Sequence, residues 1–268
     1  MKEVEIYSIG DELLRGVVQD TNSHWMAKRV TARGASLTRV FVLPDDPELV
    51  GHELARSLDR GPALILTQGG LGPTDDDRTR EAIAIGTRHP LETNRRAEEI
   101  VARRYSELAA AGYVADATLH EARLRMTRLP RGARAMDNQI GAAPGVILDL
   151  ERTTIVALPG VPPELQWIWE NPLAAELDRV LGPGGFAEIT VTLDLRDESA
   201  IAEILRGVQS RHPNVYVKSR ARTFEAGDEI RATLTAAGPS DDDARLLVEA
   251  AFADLGNELE GIGVQVIE

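Results

Sequence analysis

The alternation of short apolar runs with longer amphipathic segments is the feature that most constrains the fold of this chain. Residues 4–9, 36–43 and 63–67 have the apolar pattern of strands, and a segment with helical spacing follows each one. Strands and helices that alternate at this spacing predict βαβ units and a mostly parallel sheet. The first part of the chain is therefore predicted to be a doubly wound α/β domain.

Two domains are predicted, because the run LGPGG at residues 181–185 is the clearest cluster of backbone breakers in the sequence. The first domain covers residues 1–180. The second covers residues 186–268 and is predicted as a small α+β domain of β-α-β-β-α-β order. Its predicted strands are residues 188–195, 214–218, 229–235 and 264–267, and its predicted helices are residues 198–209 and 241–255.

Further elements are predicted for the first domain from periodicity and from Pro and Gly positions. The predicted helices are residues 20–34, 47–58, 79–86, 95–111, 117–126 and 163–180. The additional strands are residues 133–136, 145–148 and 153–158.

Composition narrows the possible functions. The net charge is -13 and no basic run is present, so nucleic acid is not expected as a partner. There is no cysteine, which excludes disulfides, thiolate metal sites and thiol nucleophiles. No stretch of about 18 apolar residues and no signal peptide is evident, so we expect a cytoplasmic protein without a membrane contact.

Glycine and acidic residues follow several predicted strands. Asp11 and Glu12 follow the first strand, Asp45 follows the second, a glycine-rich run follows the third, and Pro159-Gly160 follows a later one. In an open parallel sheet, ligands bind in the crevice at the carboxyl ends of the strands. We therefore expect these residues to line one ligand site.

The run TQGGLGPTDDDRT, from Thr67 to Thr79, is predicted to hold the phosphate-bearing part of a nucleotide or a pterin. Gly69, Gly70 and Gly72 allow backbone N–H groups to approach an anion closely. The helix predicted to follow would direct the positive end of its dipole towards the same loop. The alternative is a tight strand-to-helix turn in which the aspartates are only N-terminal caps.

The carboxylates around this loop favour a divalent cation. Several acidic side chains near a site for an anion would repel one another, and like charges about 4 Å apart cost about 4 kcal/mol at an effective dielectric constant of about 20. Magnesium commonly binds through one or two carboxylates together with phosphate oxygens. The hypothesis is a metal-assisted reaction at a phosphate or diphosphate group.

Five blocks of sequence resemble the CinA-like proteins (competence/damage-inducible protein A), whose N-terminal part belongs to the molybdopterin-binding, MogA/MoaB-like superfamily. They span about residues 1–175, and a shorter motif at residues 197–199 extends the resemblance to the second domain. The blocks are GDELLRG at residues 10–16 with DTN at 20–22, PDD at 44–46, GGLGPT at 69–74 with Asp76, Asp77 and Thr79, GAAPG at 141–145, and LPGVPPE at 158–164.

The resemblance implies a dimeric protein that, as in CinA relatives, hydrolyses the diphosphate of ADP-ribose with metal ions. It also implies that Asp45 and Asp77 match the functionally important acidic pair of the molybdopterin-handling relatives. Gln68 departs from the Thr that is usual in relatives. The further domain that acts as a nicotinamide-mononucleotide deamidase in many CinA proteins has no counterpart before Glu268, so deamidase activity is not expected.

The resulting predictions assign roles to individual residues. The predicted catalytic residues are Asp11, Glu12, Asp45 and Asp77, and the predicted ligands of Mg, Mn or Co are Asp11, Glu12, Asp76 and Asp77. The predicted ligand-binding residues are Gly10, Asn22, Thr67, Gly69, Gly70, Leu71, Gly72, Pro73, Thr74, Pro159 and Gly160.

Three functions remain open from the sequence. The leading one is a metal-dependent nucleotide pyrophosphatase that acts on ADP-ribose or a similar nucleoside diphosphate sugar. The second is a protein that binds or adenylylates molybdopterin for cofactor assembly. The third is a nucleotide-binding module without catalytic activity. All three predict a small-molecule nucleotide or pterin as the partner, and a homodimer.

Overall fold

The computed structural model describes residues 1–195, 197–221 and 230–267. It divides into two compact units. The first comprises Met1–Val30 and Ser36–Gly182, and the second comprises Thr31–Ala35 and Pro183–Glu268. The change of unit at Pro183 falls inside the LGPGG run, whereas the short segment Thr31–Ala35 was predicted to belong to the first domain.

Apart from Thr31 and Ala32, which fall in the second unit, the elements as far as Leu181 build the larger unit. The strands are β1 (Glu3–Ile9), β2 (Ser36–Leu43), β3 (Leu64–Gln68), β4 (Leu91–Thr93), β5 (Arg128–Pro130), β6 (Arg134–Met136), β7 (Gly145–Asp149) and β8 (Thr154–Leu158). The helices are α1 (Asp11–Leu14), α2 (Thr21–Ala32), α3 (Pro47–Arg60), α4 (Thr79–Thr87), α5 (Arg95–Ala110), α6 (Glu121–Arg125), α7 (Pro162–Glu170) and α8 (Ala174–Leu181).

A six-stranded sheet in the order β2-β1-β3-β8-β7-β6 forms the centre of the larger unit. Strands β2, β1, β3 and β8 run parallel, while β7 and β6 are antiparallel additions. Every residue of β3 and β8 is buried, as expected for central strands with helices on both faces. The predicted α/β class with a mostly parallel sheet is confirmed.

The smaller unit contains a three-stranded antiparallel sheet in the order β10-β11-β9. Its strands are β9 (Gly185–Leu193), β10 (Val215–Ala221) and β11 (Ile230–Gly238), and its helices are α9 (Ala202–Arg211) and α10 (Asp241–Gly261). A short 3₁₀ helix, Glu198–Ile201, precedes α9. Alternating apolar residues of β9 and β11 pack with α9 and α10 in a separate hydrophobic core.

Several predicted boundaries differ from the structure, and one lies outside the described residues. The helix predicted at residues 163–180 is two helices, because Pro172 follows Asn171 at the break and a proline interrupts helical hydrogen bonding. The helix predicted at 117–126 is limited to α6. The strand predicted at 264–267 contributes one isolated bridge, between Val266 and Leu193. Glu229, predicted to begin a strand, lies outside the described residues.

None of the helices in residues 1–195, 197–221 and 230–267 combines the length and the apolar character needed to cross a membrane.

Candidate functional site

The carboxyl ends of β1, β3 and β8 meet at one edge of the large sheet. Ser8 of β1 is in register with Gln68 of β3, and Gln68 is in register with Leu158 of β8. Because the three strands are parallel neighbours, the segments that follow them leave the sheet side by side. A cleft of about 470 Å³ lies at this edge.

Most of the predicted site residues line the cleft. Those that do are Gly10, Glu12, Asn22, Asp45, Gly69, Gly70, Leu71, Gly72, Asp76, Asp77, Pro159 and Gly160. The predicted residues that do not line it are Asp11, Thr67, Pro73 and Thr74. Thr67 is fully buried within β3, and its hydroxyl oxygen has no hydrogen-bond partner among the described residues.

The glycine-rich loop after β3 requires glycine at two adjacent positions. Gly69 and Gly70 have φ angles of 94° and 63°, which are unfavourable for other residues. A Cβ atom on Gly69 would lie 2.1 Å from the carbonyl oxygen of Ile9, and one on Gly70 would lie 2.3 Å from Oγ1 of Thr79. The loop is thus packed directly onto the end of β1 and the start of α4.

Three consecutive amides of this loop are available for a ligand. In the described part of the chain, the N–H groups of Gly70, Leu71 and Gly72 donate no hydrogen bond. All three residues line the cleft. Consecutive free amides in a left-handed turn form a concave site that suits an anion such as a phosphate. The geometry therefore agrees with the anion cradle predicted from the glycines.

Two residues of α4 that do not line the cleft hold the loop in place. The hydroxyl of Thr79 donates to the carbonyl oxygen of Gly69 at 2.8 Å. Arg80 is almost fully buried, and its guanidinium donates to the carbonyl oxygens of Leu71 and Gly72 at 2.6 and 3.0 Å. Burial lowers the pKa of Arg80 to about 10, so the side chain remains cationic at neutral pH. It adds positive charge next to the backbone of the anion cradle.

The three aspartates of the loop have different environments. Oδ2 of Asp77 accepts hydrogen bonds from the amide and the hydroxyl of Thr74, at 2.8 and 2.5 Å, and this closes the turn. Asp75 is exposed and pairs with Arg125. Asp76 borders both the cleft and a second, more open hollow. The alternative, in which the aspartates are only N-terminal caps of α4, does not apply. The residue at the cap position is Arg78, and it makes no side-chain cap bond.

The open hollow beside the cleft is strongly acidic. Asp11, Glu12, Asp45, Asp46 and Asp76 line it together with Arg15. Burial, together with the charges of Glu12, Asp11 and Asp76, raises the pKa of Asp45, and the amide of Asp11 offsets part of this by donating to Asp45 at 2.9 Å. Asp46 caps α3 through the amides of Glu48 and Leu49. The surroundings of Asp45 therefore favour its protonated form.

The predicted metal ligands do not form a preassembled centre. Among the described residues, no three His, Cys, Asp or Glu side chains are grouped so that they could hold a metal ion. Asp77 is bonded to Thr74, and Asp11 pairs with Arg15 at 2.7 Å, so two of the four predicted ligands already have partners. As arranged, the set of Asp11, Glu12, Asp76 and Asp77 does not fit a divalent ion.

Amide and carboxylate side chains join the strand ends behind the cleft. Nδ2 of Asn22 donates to the side-chain oxygen of Gln68 at 3.1 Å and to the carbonyl oxygen of Gly160 at 2.8 Å. Asp20 accepts from the hydroxyl of Ser8 and from the amide of Ser23. Asn22 therefore connects α2 with the segments after β3 and β8, and Gln68 takes part in this network.

Glu164 is a cleft residue that was not predicted as a site residue, although the LPGVPPE block ends on it. It lies in the first turn of α7, and its Oε2 accepts from Nδ2 of the buried Asn138 at 2.7 Å. Burial raises the pKa of Glu164, an effect that the bond from Asn138 and the charge of Arg104 reduce. The position of Glu164 after a buried strand was the available signal.

Comparison with known proteins identifies the family. Residues 5–179 match the model described as "Probable molybdopterin binding domain". The chain belongs to this family. The match covers nearly all of the larger unit and every site residue described above.

Relatives extend over nearly the whole chain. A protein of Aeropyrum pernix is 32% identical over 98% of this chain and 96% of its own length. A protein of Pyrococcus abyssi is 35% identical over 83% of this chain and 86% of its own length. The crystal structure of the protein CinA of Thermoplasma acidophilum, described as being of unknown function, has a TM-score of 0.59 and 28% identity, covering 66% of this chain and 99% of that one. The predicted CinA-like resemblance is confirmed.

Proposed function

We propose that the cleft holds the phosphate group of a pterin of the molybdopterin type. The protein would thereby bind or adenylylate that pterin. The observation that carries this proposal is that three consecutive residues lining the cleft, Gly70, Leu71 and Gly72, have amides that donate no hydrogen bond among the described residues, in a loop held by the buried Arg80. Family membership supports a pterin as the ligand that bears the phosphate. This is the second of the functions expected from the sequence.

Asp45 and Asp77 have separate roles in this proposal. Asp77 shapes the cradle, because its carboxylate orders Thr74 and the turn that follows the free amides. Asp45 lines both the cleft and the acidic hollow, and its pKa is raised, so it is suited to exchanging a proton with a bound phosphate or with an attacking group. Asp11, Glu12 and Asp76 line the hollow around it.

Titration calorimetry with 6-hydroxymethylpterin and its diphosphate ester tests the proposal. The two probes share the ring and differ in the anion, so the diphosphate is expected to bind at least about tenfold more tightly, the contribution of one or two hydrogen bonds to a charged group. Equal affinity for the two probes would exclude the glycine loop as the anion site. The absence of binding by either probe would exclude the proposed ligand class.

The second candidate is the pyrophosphatase that acts on ADP-ribose or a similar nucleoside diphosphate sugar. The crowding of carboxylates around Asp45 favours it, since hydrolysis of a diphosphate requires a group that activates water. Product analysis after incubation with ADP-ribose, with magnesium, manganese or cobalt added in turn, distinguishes the two candidates. AMP and ribose 5-phosphate formed by the wild type and lost in Asp45→Asn would favour hydrolysis. Binding of ADP-ribose without product would indicate the non-catalytic module.

A further inference from the structure

Glu164 occupies a position where a carboxylate usually stabilises the helix itself, but its side chain is used differently. It is the third residue of α7, after Pro162 and Pro163, and a Glu at that position often bonds back to the residue that caps the helix. The cap residue of α7, Val161, takes part in no side-chain cap bond. The carboxylate of Glu164 instead contacts Asn138, from the segment before β7, and lines the cleft.

The surroundings of Glu164 hold one of its oxygens and leave the other free. Asn138 is fully buried, donates to Oε2 of Glu164 and to the carbonyl oxygen of Ala143, and accepts from the amides of Ile140 and Gly141. Arg104 fixes the same segment by donating to the carbonyl oxygens of Ile140 and Gly141. Among the described residues, Oε1 of Glu164 accepts no hydrogen bond.

Gly141 provides the space in which this carboxylate lies. A Cβ atom at position 141 would be 1.9 Å from Oε2 of Glu164, so any larger residue would displace the carboxylate. The segment from Asn138 to Gly141 therefore both orients the carboxylate and leaves room for it. A partly buried carboxylate with one free oxygen stabilises a ligand that supplies N–H donors.

The cleft thus has two chemically different regions. The free amides of the glycine loop suit an anion, whereas Glu164 suits N–H donors, and both line the same cavity. We infer that Glu164 binds the adjacent ring N–H and 2-amino group of a 2-amino-4-oxopyrimidine ring, the edge that pterins and guanine share. This inference rests on the proposed function and specifies which heterocycle the site accepts.

The inference makes Glu164 a specificity-determining residue, because other common rings do not present this edge. The carboxylate of Glu164 can accept two N–H···O bonds from a 2-amino-4-oxopyrimidine, one at the free Oε1 and one at the second lone pair of Oε2, whose first lone pair accepts from Asn138. Hypoxanthine lacks the 2-amino group, and adenine places an acceptor nitrogen beside its amino group. A diphosphate of either base keeps the anion but loses one or both hydrogen bonds to Glu164.

The test measures the affinities of 6-hydroxymethylpterin diphosphate, GDP, IDP and ADP for the full chain by titration calorimetry. At least one of the first two is expected to bind about 10- to 100-fold more tightly than IDP and ADP, as for a bidentate contact with a base edge. In Glu164→Gln, Asn138 still donates to the side-chain oxygen, so the amide NH₂ faces the cleft and opposes the N–H donors of the ligand. The preference is expected to disappear in that variant.

Glu170→Gln is the matched control, because it makes the same change at the other end of α7, where the side chain is largely exposed. It is expected to keep the wild-type order of affinities, and the melting temperatures of the ligand-free variants check that both are folded. Equal binding of all four diphosphates, or a preference that persists in Glu164→Gln, would overturn the role of Glu164 and leave the anion cradle intact. Failure of all four probes to bind would overturn both proposals. The relative affinities of the pterin and GDP distinguish the two sources of the same edge.

Discussion

Gly69 and Ile9 pack so closely that no side-chain atom fits between them: a Cβ on Gly69 would be 2.1 Å from the carbonyl oxygen of Ile9. This contact joins the loop after β3 to the end of β1, its neighbour in the sheet. The amide of Gly69 also donates to the carbonyl oxygen of Leu158 at the end of β8, at 3.1 Å. One glycine therefore connects the three strand ends that form the floor of the cleft.

Gly69→Ala is expected to lower the free energy of unfolding by about 3 kcal/mol or more. A positive φ costs a non-glycine residue about 1–3 kcal/mol, and overpacking against a backbone atom costs a similar amount. Chemical denaturation measures the change. Gly16→Ala is the control, because Gly16 also has a positive φ, of +68°, but a Cβ added there would have nothing within 4 Å. Equal losses in the two variants would show that the contact with Ile9 is unimportant.

Arg80→Met is expected to destabilise the protein by about 2 kcal/mol and to weaken diphosphate binding. The change leaves the buried carbonyl oxygens of Leu71 and Gly72 without the donors that they have now, and each such loss costs about 1–3 kcal/mol. Part of the cost is offset because a desolvated cation is removed. Thermal unfolding and titration with pyrophosphate measure the two effects.

Arg78→Met is the control for Arg80. Arg78 is about half exposed and pairs with Glu81 on the same helix, so its replacement is expected to change stability by less than about 0.5 kcal/mol. A variant of Arg80 with full stability and unchanged affinity would contradict the idea that this cation supports the loop.

The sequence predicted the part of the site that follows the strand-end rule. Gly69 to Gly72, Asp45 and Asp77 lie in segments that follow strands of a parallel sheet, so their convergence follows from topology. Their individual partners do not follow from it. The conformation of one turn decides the partners of the two aspartates: Asp77 is bonded to Thr74, and Asp75 pairs with Arg125. Composition does not encode this conformation.

The contact between Asn138 and Glu164 could not be predicted from the sequence, for a different reason. The two residues are 26 positions apart, with Asn138 before β7 and Glu164 after β8, so the pairing of these strands brings them together. Neither belongs to an apolar pattern, and a Glu in the first turn of a helix is usually explained by the helix dipole alone. Similarly, the segment 264–267 was predicted as a strand but contributes a single bridge, at Val266. Tertiary pairing decides this outcome, and local propensity does not.

Asp77→Ala is expected to weaken the binding of a diphosphate by about tenfold, whereas Asp77→Asn is expected to have a smaller effect. The alanine variant removes the acceptor for the amide and the hydroxyl of Thr74, and the asparagine variant keeps one oxygen that can accept them. Asp75→Ala is the control, because Asp75 is exposed and its carboxylate pairs with the side chain of Arg125. If Asp77→Asn loses as much affinity as Asp77→Ala, the negative charge of Asp77 is required, and a cation or a proton transfer becomes the better explanation.

Glu164→Gln is expected to raise the melting temperature of the ligand-free protein at pH 7 by about 2 °C, although it impairs ligand binding. Burial raises the pKa of Glu164 above its ordinary value of 4.5, so the folded protein holds this proton more tightly than the unfolded chain does. The free energy of unfolding therefore falls as the pH rises from about 4.5 through the folded-state pKa. A glutamine does not ionise, so the variant does not lose this free energy of unfolding as the pH rises. Melting curves between pH 4 and pH 8 should show that the advantage of Glu164→Gln over the wild type grows with pH. An advantage that is constant over this range would mean that the charge of Glu164 costs the folded state nothing.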